Sequence, residues 1–250
     1  MIKKVVLYLV IFVISLMVSL LALFPANILW QRVLAPQTNL EALGVRVEKV
    51  QGTIWEGKAL INYRSIVSIL SWEVQGAGLI GLTLPVDLNL VSQAGELQST
   101  VSIGPQTIDA LIASAEIQLA ALNPVLKQQK LALDGVLLVK DLELQFENLR
   151  PVKADGMASW SGGDIAYPAG REVHQRNLPM FRASIETKEG EIRLAIRDAQ
   201  ASFDVISASL DEKGVGMMSI TRRLLDLSRE PWSQNSREQD VVFKVKKELF

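Results

Sequence analysis

Leu82-Thr83-Leu84-Pro85-Val86-Asp87-Leu88-Asn89-Leu90 alternates aliphatic and other residues without a break. Successive side chains of a strand point to opposite faces, so Leu82, Leu84, Val86, Leu88 and Leu90 share one face and Thr83, Pro85, Asp87 and Asn89 the other. A segment that buries one face and wets the other belongs in an antiparallel sheet. The same period recurs in Leu142/Leu144/Phe146, in Ile192/Leu194/Ile196 against Arg193 and Arg197, and in Val241/Phe243/Val245 against Lys244 and Lys246. Asp134-Gly135, Asp155-Gly156 and Lys213-Gly214 read as turns. Pro85 has no N–H for a ladder and is expected on an edge or at a bulge. Helical signal is sparse. Gly104–Ser114 has Pro105 near a first turn, with Ile108, Leu111 and Ile112 at helical spacing. Thr221–Arg229 sets Leu224, Leu225 and Leu227 before Pro231. The expected fold is mainly β, built of antiparallel sheets with one or two short helices.

The N-terminus reads differently. Val5–Phe24, VVLYLVIFVISLMVSLLALF, carries no charge, Pro or Gly. As a helix rising about 1.5 Å per residue it reaches about 30 Å, the thickness of a bilayer core. This run accounts for the chain's positive mean hydropathy of +0.23; the remainder has an ordinary globular composition. The run is longer than a signal-peptide core and no small-residue cleavage site closes it, so an uncleaved anchor is expected. Lys3 and Lys4 precede it and the next basic residue is Arg32, which places the N-terminus in the cytoplasm and the rest across the membrane. The expected layout is a cytoplasmic tail (1–4), a transmembrane helix (5–24), a juxtamembrane linker (25–37) and a β-rich domain (38–250). Trp30 fits either an interfacial anchor or a core position.

Composition excludes several functions. The chain has 26 Lys+Arg against 27 Asp+Glu, and two of the basic residues precede the apolar run, so no electrostatic footprint for nucleic acid exists. With no Cys and one His, neither a zinc site nor a Cys nucleophile can be assembled. His174 lies in a polar stretch, Gly170–Asn177, that reads as a loop, and no G-x-S-x-G elbow accompanies it. Gly76-Ala-Gly78-Leu-Ile-Gly81 matches G-x-G-x-x-G, but a strand pattern rather than a helix follows, so it reads as a turn and not a nucleotide site. Asp141 and Glu143 read as solvated residues of one strand. No catalytic, metal-binding or cofactor-binding residue is expected.

The remaining signal is structural. Gly52-Thr-Ile-Trp55-Glu-Gly57 and Gly156-Met-Ala-Ser-Trp160-Ser-Gly162 each join a Gly to a Trp and a second Gly. Each precedes strand-like segments, which fits either two related halves (38–128 and 129–250) or a coincidence of spacing. Trp55, Trp72 and Trp160 read as core residues held by tight turns at Gly52, Gly57 and Gly156.

Val50-Gln-Gly52-Thr-Ile-Trp55-Glu-Gly57-Lys-Ala, with Trp72 beyond it, resembles the type II secretion system protein N (general secretion pathway protein N) family. The likeness extends through Leu122-Asn-Pro124, Leu131–Gly135, Asp155-Gly156 to Trp160-Ser-Gly-Gly163, and Ile220–Leu227. Glu56 departs from the small or polar residue usual before the second Gly. The resemblance implies a single-pass inner-membrane protein of a Gram-negative bacterium with a periplasmic β domain. It implies an accessory, non-enzymatic role in exporting folded proteins, with other inner-membrane and periplasmic subunits as partners and the bilayer contacted through Val5–Phe24. A more distant similarity to the AsmA/TamB group implies an alternative, a periplasmic lipid-handling module with a lipid ligand.

Overall fold

The computed structural model describes residues 2–76, 83–169, 172–232 and 235–249. Helix α1 (Ile2–Ala22) leads, followed by α2 (Ala26–Leu29), a π-helical turn (Trp30–Leu34) and α3 (Ala35–Gln37). Strands β1 (Val45–Gly52), β2 (Glu56–Tyr63), β3 (Ile66–Val74), β4 (Leu84–Ser92), β5 (Gly95–Ile103) and β6 (Thr107–Gln118) come next. The short α4 (Asn123–Leu126) and β7 (Ala132–Leu133) precede β8 (Val136–Glu147), β9 (Arg150–Trp160), β10 (Gly163–Ala169) and β11 (Glu172–Leu178). Then follow β12 (Phe181–Lys188), β13 (Glu191–Asp198), β14 (Ile206–Leu210), β15 (Val215–Thr221), α5 (Arg222–Leu227) and β16 (Val241–Glu248).

Thirteen strands pair in one sheet, ordered β1-β2-β3-β4-β5-β6-β8-β9-β12-β13-β14-β15-β16, and β11-β10-β7 form a second sheet of three. Chain neighbours are sheet neighbours except where β7 and β10–β11 step out, and the pairing is antiparallel as short connections demand. The sheet crosses the boundary between the two suggested halves without interruption, β6 pairing with β8.

The register makes the sheet two-faced. Val50, Ala59, Leu70, Leu90, Leu97, Ala115, Val139, Ala158, Ala183, Ile196, Ile206, Ile220 and Phe243 are successive cross-strand partners, one from each strand. Not one is polar. The adjacent row, on the opposite face, runs Gln51, Lys58, Ser71, Asn89, Gln98, Ser114, Lys140, Met157, Ser184, Ala195, Ser207, Ser219 and Lys244, polar at all but two positions. With strands about 4.8 Å apart, the apolar row extends for roughly 60 Å.

Among the described residues only part of that apolar face is covered. Over β9 and β12–β14 the small sheet and α5 pack on it, and there the buried cluster Leu178, Phe181 and Val205 forms with Trp160, Ile196 and Leu224 against it. Strands β2–β6 make their main contacts with sheet neighbours alone, so their apolar side chains are shaded mostly by one another. Helix α5 is pinned by Asp198 at the end of β13. Its carboxylate, almost fully buried, takes Arg223 Nη2 at 2.8 Å and the Ala201 N–H at 2.7 Å. That hydrogen bond raises the Arg223 pKa. The outer strands are blunted: α2 contacts β1, and β16 carries Lys244, Lys246 and Lys247.

The expected strands at 142–146, 192–196 and 241–245 form, as does a helix after Thr221. Three expectations change. Gly104–Ser114 is not helical; from Thr107 onward it is β6, because pairing with both β5 and β8 selects the period that aligns Ile108, Ala110 and Ile112. Asp155-Gly156 lies inside β9 rather than at a turn. Pro85 sits in an interior strand, near its start, where β4 pairs with β3 only from Val86 and one missing N–H costs little. Of the Gly76–Gly81 motif, residues 77–81 lie outside the described residues, as does Leu82 of the opening segment.

Helix α1 is apolar, and Tyr8, Phe12, Met17 and Leu20 are exposed around its whole circumference. Its side chains are described only from Tyr8, and among the described residues no helix is long and apolar enough to cross a membrane. Residues 26–37, within the juxtamembrane linker, form helical turns.

Replacing Asp198 with Ala leaves the Arg223 guanidinium only Gln200 at 2.9 Å and Glu238 at 3.5 Å, frees the Ala201 N–H, and is expected to cost about 2 kcal/mol, against at most about 0.5 kcal/mol for Val91→Ala on the exposed face. Denaturant unfolding followed by tryptophan fluorescence measures both.

Candidate functional site

The structural-motif residues gather in two places. Gly52, Trp55, Gly57 and Trp72 surround the turn between β1 and β2. The backbone at Gly52 has φ 94°, and a Cβ there would stand 2.4 Å from the Glu56 carbonyl oxygen, so glycine is required. Thr53 Oγ1 accepts the N–H groups of Trp55 and Glu56, at 3.2 and 3.1 Å, closing a hydroxyl-capped turn. Gly57 makes room for Trp72, whose ring would lie 2.3 Å from an added Cβ. The Trp72 indole donates back to Thr53 O at 3.3 Å.

This turn also holds α1. Trp55 Nε1 donates to Leu21 O at 2.9 Å, the Ile54 N–H donates to Phe24 O at 3.0 Å, and Pro25 bridges to Thr53. The last carbonyls of a helix have no donor within the helix. Here the first hairpin of the sheet supplies one donor to Leu21 of α1 and a second to Phe24 just beyond it, so the C-terminal end of α1 lies beside the start of the apolar row.

Gly156 and Trp160 sit on the covered half. A Cβ on Gly156 would meet Leu142 Cα at 2.7 Å, beside the bulge at Asp141. Trp160 Nε1 donates to Asp134 O at 2.8 Å, and its ring stacks on Phe181 at 5.9 Å with the planes 6° apart. Trp55 and Trp160 thus share a habit, each donating its indole N–H to a carbonyl outside its own hairpin. Glu143 meets Lys153 at 2.8 Å and does not form a catalytic pair with Asp141.

Trp160 and Phe181 wall an apolar cavity of about 720 Å³. Its floor includes Ala158, Ala183, Ile196 and Ile206, four consecutive members of the apolar row. Its roof comes from Ile165 and Leu178 of the small sheet and Leu224 of α5. At the rim, one oxygen of Glu230 gathers three groups: Tyr167 Oη at 2.6 Å, His174 Nδ1 at 2.7 Å and Arg176 Nη2 at 3.3 Å. The Tyr167 hydrogen bond, then that of His174, holds the Glu230 carboxyl below the usual carboxylate range. Burial, before the Glu230 contact, pushes the Tyr167 phenol up. His174 is therefore a strand residue of β11, not a loop residue. Among the described residues no group of three or more His, Asp or Glu is placed to hold a metal ion.

Sequence reasoning missed this rim. His174 and Glu230 are far apart in the chain, and only the pairing of β10 with β11 beneath the end of α5 brings them together. The floor was legible in principle, since Ile196 belongs to a segment already read as alternating.

Because the Glu230 pKa is lowered on folding, its contribution is present above the unfolded carboxylate pKa and is lost as pH falls through the folded one. Acidification is expected to loosen the segment after α5, seen as lower amide protection at Ser228–Glu230 once exchange is corrected for its intrinsic pH dependence, and Glu230→Gln should remove that dependence. Trp55→Phe keeps a ring but deletes the donor to Leu21 O, and is expected to speed proteolysis between Phe24 and Gln37 severalfold with circular dichroism unchanged.

A family model described as type II secretion system (T2SS), protein N matches residues 43–222, from just before β1 to the first residue of α5. No curated protein and no solved structure matches the chain significantly.

Proposed function

The chain belongs to the type II secretion system protein N family, and from that premise we propose that it is a non-enzymatic accessory subunit of the apparatus, held in the inner membrane by Val5–Phe24. The observation that carries this reading is the family match, which takes in every strand of the main sheet except β16. Support for the anchor comes from α1, whose apolar side chains are exposed on all sides, a surface suited to hydrocarbon rather than water. Lys3 and Lys4 favour a cytoplasmic N-terminus. The layout is then a tail (1–4), the membrane helix (5–24), a juxtamembrane segment (25–37) and the periplasmic β domain (38–250). Gly52, Trp55, Gly57 and Trp72 fix the membrane helix to the sheet, while Gly156 and Trp160 shape the covered half.

Partners are the other inner-membrane and periplasmic subunits, reached through the membrane helix and the outer edges of the sheet. A second reading, a lipid-handling module, is favoured by the uncovered apolar row over β1–β6. An aliphatic surface of that length is not left facing water in a working protein.

Copurification decides the first reading. Tagged protein extracted from a secreting cell is expected to retain the inner-membrane subunits of the apparatus, and repeated absence from that complex would overturn it. A C-terminal alkaline phosphatase fusion is expected to be active; an inactive fusion would contradict the orientation.

A further inference from the structure

We propose that the cavity between Trp160, Phe181 and α5 binds one acyl chain of a bilayer phospholipid, and that the apolar row of the sheet leads the chain to it. The proposal deepens the lipid-handling reading and does not depend on the secretion reading.

Four observations carry it. The cavity, at about 720 Å³, is far larger than the voids left between well-packed layers and within the range of ligand pockets. Its walls are aliphatic and aromatic, and the polar groups at its rim are engaged with one another: Tyr167, His174 and Arg176 with Glu230, and Ser228 Oγ with Leu224 O. A peptide would bring backbone N–H and C=O groups that such a lining cannot satisfy, whereas an alkyl chain brings none. The floor is not isolated. Ala158 and Ala183 continue through Val139, Ala115, Leu97, Leu90, Leu70 and Ala59 to Val50, an unbroken aliphatic path of roughly 35 Å. That path starts at the β1–β2 hairpin, which holds the end of α1 and the residues just after it through Trp55 and Ile54, and the apolar side chains of α1 from Tyr8 onward are exposed on every side.

The small residues on the floor give the cavity its depth. Ala158 and Ala183 are register partners, while the row to either side carries Val, Leu or Ile at most positions. Larger side chains there would fill the space without touching the rim, the Asp198–Arg223 pin or the helix junction. Because recognition is by the chain alone, affinity should fall roughly fourfold for each methylene removed.

The test uses the full-length chain in nanodiscs of phosphatidylethanolamine and phosphatidylglycerol. The discs contain a phospholipid with a diazirine near the end of one palmitoyl chain; a parallel arm uses diazirine-bearing palmitic acid. After irradiation, labelled peptides are mapped by mass spectrometry. The phospholipid arm is expected to label α1 and, separately, the peptides holding Leu137, Trp160 and Phe181. Ala158→Trp should reduce cavity labelling at least tenfold while α1 labelling, an internal measure of reconstitution, stays constant. Ala183→Phe is the second variant, and thermal melts show that each is folded; should neither fold, the labelling pattern of the natural sequence decides alone. Labelling confined to α1 overturns the proposal together with the lipid-handling reading. Labelling of Leu70, Leu88 or Leu90 without the cavity overturns the proposal but leaves that reading standing. Equal cavity labelling in a folded variant, or labelling by the free acid only, also overturns it.

Discussion

A single-layer antiparallel sheet with one continuous aliphatic row must hide that row from water, and the rest of the molecule can be understood as the means of doing so. Each strand of the main sheet contributes one residue, from Val50 to Phe243, and the register keeps them in line across every pairing in that sheet. A slip of one residue in most pairs would turn a polar residue such as Lys58, Asn89 or Ser114 inward and break the row. Bulges in the pairings β1–β2, β5–β6 and β8–β9 absorb extra residues without that inversion. The small sheet and α5 solve the problem over β9 and β12–β14, with the Asp198–Arg223 pair securing the cover. Over β1–β6 the described chain offers no equivalent layer.

The two ends of the aliphatic path are built differently. At the first, the turn at Gly52–Gly57 turns its donors outward, Trp55 to Leu21 O in the last turn of α1 and Ile54 to Phe24 O just after it, so the end of the helix and the row meet at a fixed junction. At the other, Trp160 lies flat on Phe181, and the alanine pair beside them on the same two strands leaves a cavity instead of a filled core. Membership of the secretion protein N family accords with contacts to other subunits of the secretion system.

Much of the fold was legible because period-two alternation is a local property. Leu142, Leu144 and Phe146 needed no partner to be read as a strand. Where one segment satisfied both periods, as Ile108 to Ile112 did, the choice rested on pairing with β5 and β8, strands that a local window does not contain. The motif glycines were legible as tight spots, but not what they face: nothing near Trp55 in sequence points to Leu21 O. The Tyr167–His174–Arg176–Glu230 rim was illegible for the same reason, since it is made by a small sheet folding under a helix more than fifty residues on. The cavity itself follows from side-chain volume, two alanines in register where larger residues prevail, and only the register reveals it.

The central claim is that one face of this sheet is shielded from water in the working protein and the other is not. The chain contains no cysteine, so single nitroxide labels can be placed without background at Leu90 and at its neighbour Asn89, which occupy opposite faces of β4. Power saturation of the labelled full-length protein in phospholipid vesicles compares relaxation by oxygen, which concentrates in hydrocarbon, with relaxation by a water-soluble nickel chelate. The account predicts that oxygen dominates at position 90 and nickel at position 89; equal nickel access at both positions would contradict it.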